Sequence, residues 1–467
     1  MLPSIVSLFP QRTNGSHPMN LSRMLAARAE AGEPVRIGQI GAGKFGTMFL
    51  AQARLTRGFH VVGLADLMPE RARQRLAGIG WEAERFAANS LNEAMRAGAT
   101  FVTDDALAVI AHPSIEVVIE ATGDPATGID LCQRAIGAGK HIVMVNVEAD
   151  ALAGPLLAEL ARKAGVVYSL AWGDQPALIA EHVDWARTCG FTVVAAGKGT
   201  RYHPSYHALT PDTIWDVMLR LLPIKDRSHV NPKMFNSFFD GTKSGIEMTA
   251  VCNACDLQPQ TEGLGFPPAS RFELADVCKP SSEGGTLERK GVTEVVSSVN
   301  RDGSDVPHHL AMGTYVVIES DSAYAGQCFR EYNMLSDSSG PYAALYRPTH
   351  MIGLELGVSV ASAALRGEPT GQAQAFNSDV VATAKRALRA GEMLDGEGGY
   401  TVWGKQTPAA MSLAQGLLPL GLAHNVELVN DVAEGQRLKW SDVAIDETSP
   451  AVRFRREMER RFGPSAR

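Results

Sequence analysis

No apolar run in this chain reaches the roughly 18–20 residues that a membrane-crossing helix needs, so no partner membrane is expected. Excess positive charge is also absent: the formal net charge is −7, which offers no electrostatic footprint for nucleic acid. Cysteine is sparse, with six in 467 residues, at 132, 189, 252, 255, 278 and 328. They form no disulfide framework, and a reduced, cytoplasmic setting is expected. Cys252 and Cys255 make a lone C-x-x-C. No second pair completes a zinc site, and the flanks lack the turn of a redox motif, so both are read as small buried residues of a helix. No His/Asp/Glu cluster with metal-ligand spacing stands out, which leaves a metal unassigned. The opening MLPSIVSLFP lacks a basic leader region, so a signal peptide is not expected, and residues 1–18 read as a disordered tail or a mis-assigned start. What remains is an ordinary globular composition, 45% apolar and 20% charged, in a chain long enough for two or three domains.

Residues 35–46, VRIGQIGAGKFG, are the most informative run. A β-branched strand enters Gly41-Ala-Gly43-Lys44-Phe45-Gly46, and a helix-like stretch follows. This is G-x-G-x-x-G in the setting of strand, tight turn and helix that dinucleotide binding requires. Gly41 permits the turn, Gly43 lets backbone N–H groups approach a pyrophosphate, and Gly46 lets helix and strand pack closely. The helix N-terminus adds partial positive charge, and Lys44 and Phe45 belong to the same cradle. HVVGLAD, residues 60–66, reads as a second strand ending in Asp66, twenty residues after Gly46. A carboxylate there accepts from ribose hydroxyls and favours NAD, while Arg71 and Arg73 just beyond keep NADP open.

Strand and helix signals then alternate to about residue 170. The strand SIEVVIEATGDP ends at Thr122 and Gly123, and KHIVMVNVEAD carries Asn146 at its strand end. This βαβ rhythm predicts an α/β fold, a Rossmann-type doubly wound parallel sheet with ligand at the carboxyl ends of its strands. The expected organisation is a tail and helix over 1–34, a dinucleotide-binding domain over 35–172, and an α+β substrate and oligomerisation domain over 173–372. Within the last, 340–367 reads as a polar aromatic loop feeding an apolar helix, and a helix over 346–366 is expected to return to the nucleotide domain. A small β-rich domain over 373–450 and a basic, solvated C-terminal tail over 451–467 complete the chain.

Several polar residues are candidates for chemistry. Lys198 lies between Gly197 and Gly199 at a strand end, where flanking glycines let a ligand approach; Arg201 and His203 follow. Asp240, Lys243 and Glu247 stand at spacings of three and four, which puts them on one helix face. Glu148 is either a site carboxylate or a residue favoured by a helix N-terminus. Arg347 has the fork for a phosphate, and His350 titrates near neutral pH.

GAGKFG, VVIEATGDP, GKHIVMVN and DGTKSGIEMT together resemble the homoserine dehydrogenase nucleotide domain and substrate helix, and more distantly the glucose–fructose oxidoreductases. The closing module resembles an SAF domain. With VNVEAD, AAGKGTRYHP and LYRPTH, the combination resembles the homoserine-dehydrogenase-like reductases that include the second, unrelated form of 1-deoxy-D-xylulose 5-phosphate reductoisomerase. The resemblance implies NAD or NADP as cofactor, with Mg or Mn as an open addition, and a phosphorylated keto sugar as substrate. It also implies Asp240 and Lys243 as substrate-binding and proton-shuttling groups, Asp174 and Gln175 on the nicotinamide side, and a homodimer or homotetramer. One departure matters. Homoserine dehydrogenases carry Asn-Lys where this chain has Asn146-Val147, so the lysine near the nicotinamide is missing. That points to the reductoisomerase. The alternatives are a dehydrogenase of another small polyol, sugar acid or amino-acid alcohol, and, in another class, a non-catalytic SAF-type binding protein.

Overall fold

The computed structural model describes residues 20–221, 230–338 and 340–463. The reading of residues 1–18 therefore lies outside the described residues. Among the described residues, no helix is long and apolar enough to cross a membrane.

The first sheet has six parallel strands: β1 (Val35–Ile40), β2 (Phe59–Ala65), β3 (Phe101–Thr103), β4 (Val117–Glu120), β5 (His141–Met144) and β6 (Tyr168–Leu170). Their order is β3-β2-β1-β4-β5-β6. The chain winds outward from β1 in both directions, so the topological switch falls between β1 and β4, where such sheets bind ligands. Valine and isoleucine dominate these strands because helices cover both faces. One face packs on the helices Leu91–Ala97, Ala106–Ala111, Pro125–Gly137 and Val147–Lys163. The other packs on Lys44–Ala53, Pro69–Gly78 and a helix from much later in the chain, Gly357–Arg366, through Val360 and Ala361.

The second sheet runs β10-β11-β9-β7-β8. Its strands are β7 (Thr192–Thr200), β8 (Val292–Ser297), β9 (Thr314–Glu319), β10 (Leu335–Ser336) and β11 (Tyr342–Arg347). Two expectations change here. Residues 342–347 form a strand rather than a loop, because β9 offers an antiparallel partner and Tyr342, Ala343 and Ala344 are buried. The glycines beside Lys198 serve backbone packing rather than ligand approach. A Cβ on Gly197 would run into the Glu294 carbonyl, and one on Gly199 into the Leu310 carbonyl.

Past residue 377 come β12 (Ser378–Ala384), β13 (Met393–Asp395), β14 (Val402–Pro408), β15 (His424–Leu428) and β16 (Val443–Ala444). β12 pairs with β14, and β13-β15-β16 form a three-stranded sheet. The helix Thr242–Cys255 is buried along its whole length against β12 and β14. Its Asn253 side-chain oxygen accepts from the N–H groups of Asn377 at 2.9 Å and Ser378 at 3.0 Å. Cys252 and Cys255 are buried in this helix, where burial pushes both thiols up to about 12.

The basic tail is also corrected. Residues Pro450–Phe462 form a helix that packs rather than floats. Ala451, Val452, Arg455 and Met458 recur at helical spacing and turn inward. Arg455 is fully buried, bonding Asp379 at 2.7 Å and the Leu152 carbonyl at 3.0 Å. It thus ties the C-terminal module to the helix Val147–Lys163.

Candidate active site

The switch point is built from a turn and a helix start that need glycine. Gly41 has φ +94°, and a Cβ there would strike the Ala121 carbonyl just past β4. A Cβ on Gly46 would strike the Gly41 carbonyl, which is how helix and strand come together. Gly43 differs: nothing lies within 4 Å of the position its Cβ would take. The three glycines thus leave an open backbone cradle at a helix N-terminus, the shape and polarity a pyrophosphate fits. Asp66 closes the turn from the β2 side, accepting from Ala42 N at 2.8 Å and Met68 N at 2.9 Å. Arg73 is committed to Glu70 at 2.7 Å and the Val102 carbonyl at 3.0 Å, whereas Arg71 is exposed.

A cleft of about 500 Å³ opens beyond this cradle. The nucleotide domain contributes Gly43, Lys44, Phe45, Thr122, Gly123, Asn146 and Glu148. The middle domain contributes Asn231, Lys233, Ser237, Phe238 and Lys243, and the C-terminal module Glu397 and His424. Asn146 caps the helix Val147–Lys163 through Ala149 N at 3.1 Å and donates to the Asp124 carbonyl at 2.9 Å. Helix phase then sends Val147, only 2% exposed, into the core. Its neighbour Glu148 reaches the cleft and pairs with Lys243.

Behind Lys243 lies a buried inner layer. Lys198 pairs with Glu247, and Asp174 sits in the field of Glu247, Lys243 and Glu148. Burial, then Glu247, pushes Asp174 up to about 7. Burial, then Glu148, pushes Glu397 up to about 7, with Lys243 opposing. Glu120, at the end of β4, is also pushed to about 7 by burial, although Thr122 bonds it. Burial works against the charge on Lys243, but Glu148, Glu397, Glu247 and Asp174 outweigh it and raise its pKa. Around Lys243 and Lys198 therefore stand four carboxyls, Glu148, Glu397, Asp174 and Glu247, for two ammonium groups. Near-neutral balance is reached when two of the four hold protons.

Other expected residues lie elsewhere. Asp240 does not share a face with Lys243. It caps the preceding helix, Pro232–Phe239, because Gly241 at φ +94° breaks the chain direction, and it pairs with buried Lys385 at 2.8 Å. Arg201 pairs with Asp305 at 2.6 Å, and His203 bonds Ser205 at 2.8 Å, both outside the cleft. Arg347 is taken by Glu355. His350 meets the Met312 carbonyl at 2.7 Å and Gln175 at 3.5 Å, in the field of Glu247 and Lys198. Gln175 and the helix-capping Asp174 are buried behind the cleft wall. Sequence reasoning missed Lys233, Ser237, Glu397, His424 and Lys385. Glu397 alone carried a signal, since Asp395-Gly-Glu397-Gly-Gly is a carboxylate framed by glycines. Among the described residues, no three His, Cys, Asp or Glu side chains are placed to hold a metal ion.

A dinucleotide turn at the switch point of a Rossmann sheet, opening on a cleft of buried acids and lysines, defines an NAD(P)-binding oxidoreductase unit. Residues 35–170 match the oxidoreductase family with an NAD-binding Rossmann fold, and residues 173–356 match the catalytic domain of the oxidoreductase called DRL. The chain from residue 357 onward lies outside both matches. A homoserine dehydrogenase of Pseudomonas aeruginosa is 31% identical over 137 residues, which is 29% of this chain and 28% of that protein. Among solved structures, a probable dehydrogenase from Thermotoga maritima is 13% identical, covering 72% of this chain and 90% of that one, with a TM-score of 0.36. A putative oxidoreductase from Bacillus subtilis is 12% identical, covering 72% and 89%, with a TM-score of 0.35. Levoglucosan dehydrogenase, solved with NADH and levoglucosan, is 18% identical over 36% of this chain and 43% of that one, with a TM-score of 0.26. The cofactor class is NAD(P).

Proposed function

We propose that the protein is an NAD(P)H-dependent reductoisomerase that converts 1-deoxy-D-xylulose 5-phosphate to 2-C-methyl-D-erythritol 4-phosphate. The observation that carries this reading is the placement of Lys243, among carboxyls able to hold protons near neutral pH, in the same cleft as the dinucleotide cradle. The match of residues 173–356 to the DRL catalytic domain supports it. So does the distribution of cations. Lys243 is paired with Glu148, whereas Lys44 and Lys233 have no ion-pair partner among the described residues lining the cleft, although Lys233 donates to the Asp395 carbonyl, and two ammonium groups not neutralised by a carboxylate there suit an anionic, phosphorylated substrate.

Bound coenzyme supplies the hydride. Gly41, Gly43 and Gly46 shape its phosphate cradle, and Asp66 stands where a ribose hydroxyl donates. Lys44 and Lys233 hold the phosphate. The Lys243 ammonium polarises the ketone, fixed by Glu148. Skeletal rearrangement by C–C cleavage and re-addition takes a proton from the hydroxyl β to the ketone as the C–C bond breaks to an aldehyde and an enediolate. A proton passes from the enediol's second oxygen to the former ketone oxygen, the former ketone carbon bonds to the aldehyde, and the aldehyde oxygen takes its proton back. Glu148 is the adjacent base that takes and returns that proton, while Lys243, whose pKa its carboxylates raise, stays charged and stabilises the oxyanion. The final reduction consumes one proton. The substrate domain carries with it the expectation of a homodimer or homotetramer, which sedimentation measures.

The homoserine dehydrogenase match keeps a second reading, a dehydrogenase of another small hydroxy compound. A non-catalytic binding role for the C-terminal module fits less well, since that module places Glu397 and His424 in the cleft. The deciding experiment incubates purified protein with NADPH and 1-deoxy-D-xylulose 5-phosphate. Coenzyme loss should match formation of the branched polyol phosphate by mass spectrometry. Tight NADPH binding with no turnover removes the reductoisomerase.

A further inference from the structure

We infer that Glu397, carried by the C-terminal module beyond both matched segments, is a catalytic acid of this cleft: it delivers the proton taken up by the carbonyl oxygen as the carbonyl is reduced. The inference rests on the reading that the cleft reduces a carbonyl with NAD(P)H.

The turn that carries Glu397 is pinned from every side. Asp395 accepts from Tyr400 N at 2.6 Å and Thr401 N at 3.0 Å, which closes the loop. Gly396 lies against the His424 ring, and a Cβ there would overlap it. Gly398 abuts the Lys233 carbonyl so closely that no side chain fits, and its own carbonyl accepts from Asn236 Nδ2 at 3.0 Å. The Gly399 carbonyl accepts from Lys385 Nζ at 2.9 Å, and the same ammonium pairs with buried Asp240 at 2.8 Å. Three glycines thus let the turn press into the helix Pro232–Phe239, and Glu397 is the one side chain among residues 396–399. It lines the cleft.

The groups facing it come from four elements. Glu148 belongs to the helix Val147–Lys163, Lys243 to the helix Thr242–Cys255, Ser237 and Asp240 to the end of the helix Pro232–Phe239, and His424 to β15. Glu148 and Asp240 repel a second negative charge, Lys243 attracts it, and the nearby Ser237 hydroxyl, which donates to the Met234 carbonyl at 2.8 Å, favours it weakly. Burial and Glu148 prevail, so the carboxyl is poised near 7, where an acid works best at neutral pH. The step balances. Hydride from the coenzyme adds to the carbonyl carbon, the π pair moves to oxygen, and that oxygen takes the Glu397 proton. An alcohol, NAD(P)⁺ and a carboxylate remain, and water at the cleft mouth returns the proton.

The test compares wild type, E397Q and E397D, with NADPH affinity and thermal midpoint as folding controls. E397Q should lose roughly 10²–10⁴-fold in kcat/KM and lose the near-neutral limb of the pH profile, while E397D keeps that limb at reduced rate. Independently of any substrate, ¹³C-carboxyl NMR of the glutamate-labelled protein should show three glutamates titrating near neutrality, Glu120, Glu294 and Glu397, of which one vanishes in E397Q while the other two remain. Wild type without turnover defeats the reaction assignment, yet the NMR arm still decides Glu397. A Glu397 already ionised well below neutral pH, or an E397Q enzyme with an unchanged profile and more than a tenth of the activity, overturns the inference.

Discussion

Replacing Lys243 with methionine separates chemistry from stability. Met has similar length and no charge, so the cleft keeps its shape. If Lys243 stabilises a developing oxyanion, its loss should lower kcat by roughly 10²–10³, about 3–4 kcal/mol, the value of one well-placed donor in a water-poor site. NADPH affinity should hold, since the cradle glycines lie on other elements. Folding suffers separately. Lys243 and Glu148 are 11% and 14% exposed on their side chains, so removing one partner leaves a nearly buried charge, at a cost of about 3–5 kcal/mol. The pH dependence gives this cost a signature. Lys243 holds down the pKa of both Asp174 and Glu397, so the variant raises both folded-state values above about 7. A carboxyl with a raised folded pKa loses nothing below its unfolded value near 4, and costs stability progressively as pH rises through its folded value. The deficit of K243M should therefore be smallest in acid and grow above neutral pH. Urea unfolding at mildly acidic and mildly alkaline pH, with NADPH oxidation and binding on the same samples, measures all three quantities. Activity within tenfold of wild type, or a deficit equal at both pH values, refutes the assignment.

Gly41→Ala and Gly43→Ala should part company. The first forces a Cβ into the Ala121 carbonyl at φ +94° and lowers both thermal midpoint and NADPH affinity, whereas the second, with open space at its Cβ, leaves the midpoint unchanged and weakens only NADPH binding, as titration will show. Arg455→Met should cost about 3–5 kcal/mol in urea unfolding because it strands fully buried Asp379, and a double replacement of Arg455 and Asp379 by leucine should cost less than the single. Burial raises Asp150 to about 6, and Glu120, Asp174, Glu294 and Glu397 to about 7, so each of these carboxyls should cost up to ~1.4 kcal/mol of stability per pH unit between its unfolded and folded values. The histidines lowered by burial, His182 to about 4, contribute the opposite sign below about 6.5, so E120Q, which removes one raised carboxyl and no histidine, should lose less stability than wild type between pH 5 and 8 in urea unfolding.

The nucleotide half was legible because its signals are local. Gly41, Gly43 and Gly46 encode a turn within six residues, and their three steric tasks reappear one by one in the structure. The strands of the first sheet read as apolar runs because both faces are covered. The catalytic half was not legible in the same way, because its pairings are distant. Asp240 looked like a helical neighbour of Lys243, yet a left-handed glycine between them sends it to Lys385, 145 positions away. Arg455 looked solvated by composition, and only the inward phase of its helix and the depth of Asp379 reveal a buried clamp. Strand β11 hid because its polar end, Tyr346-Arg347, outweighed Tyr342-Ala-Ala344 in the sequence pattern.

The missing lysine after Asn146 gains a different meaning from the structure. Position 147 points into the core, so its valine removes a charge from a place that in this chain has no access to the cleft. The cation that pairs with Glu148 in the cleft is Lys243, nearly 100 positions after Val147. With Lys198 it faces four carboxyls, one of which arrives from the C-terminal module. Burial and the neighbouring carboxylates raise two of them, Asp174 and Glu397, to about 7, so these keep their protons furthest up the pH scale. A reduction consumes a proton at each turnover, whereas a dehydrogenation must discard one. The same carboxyl gives the proton in reduction and takes it in oxidation, and a group poised near 7 serves both; what the C-terminal module adds to the cleft is such a carboxyl.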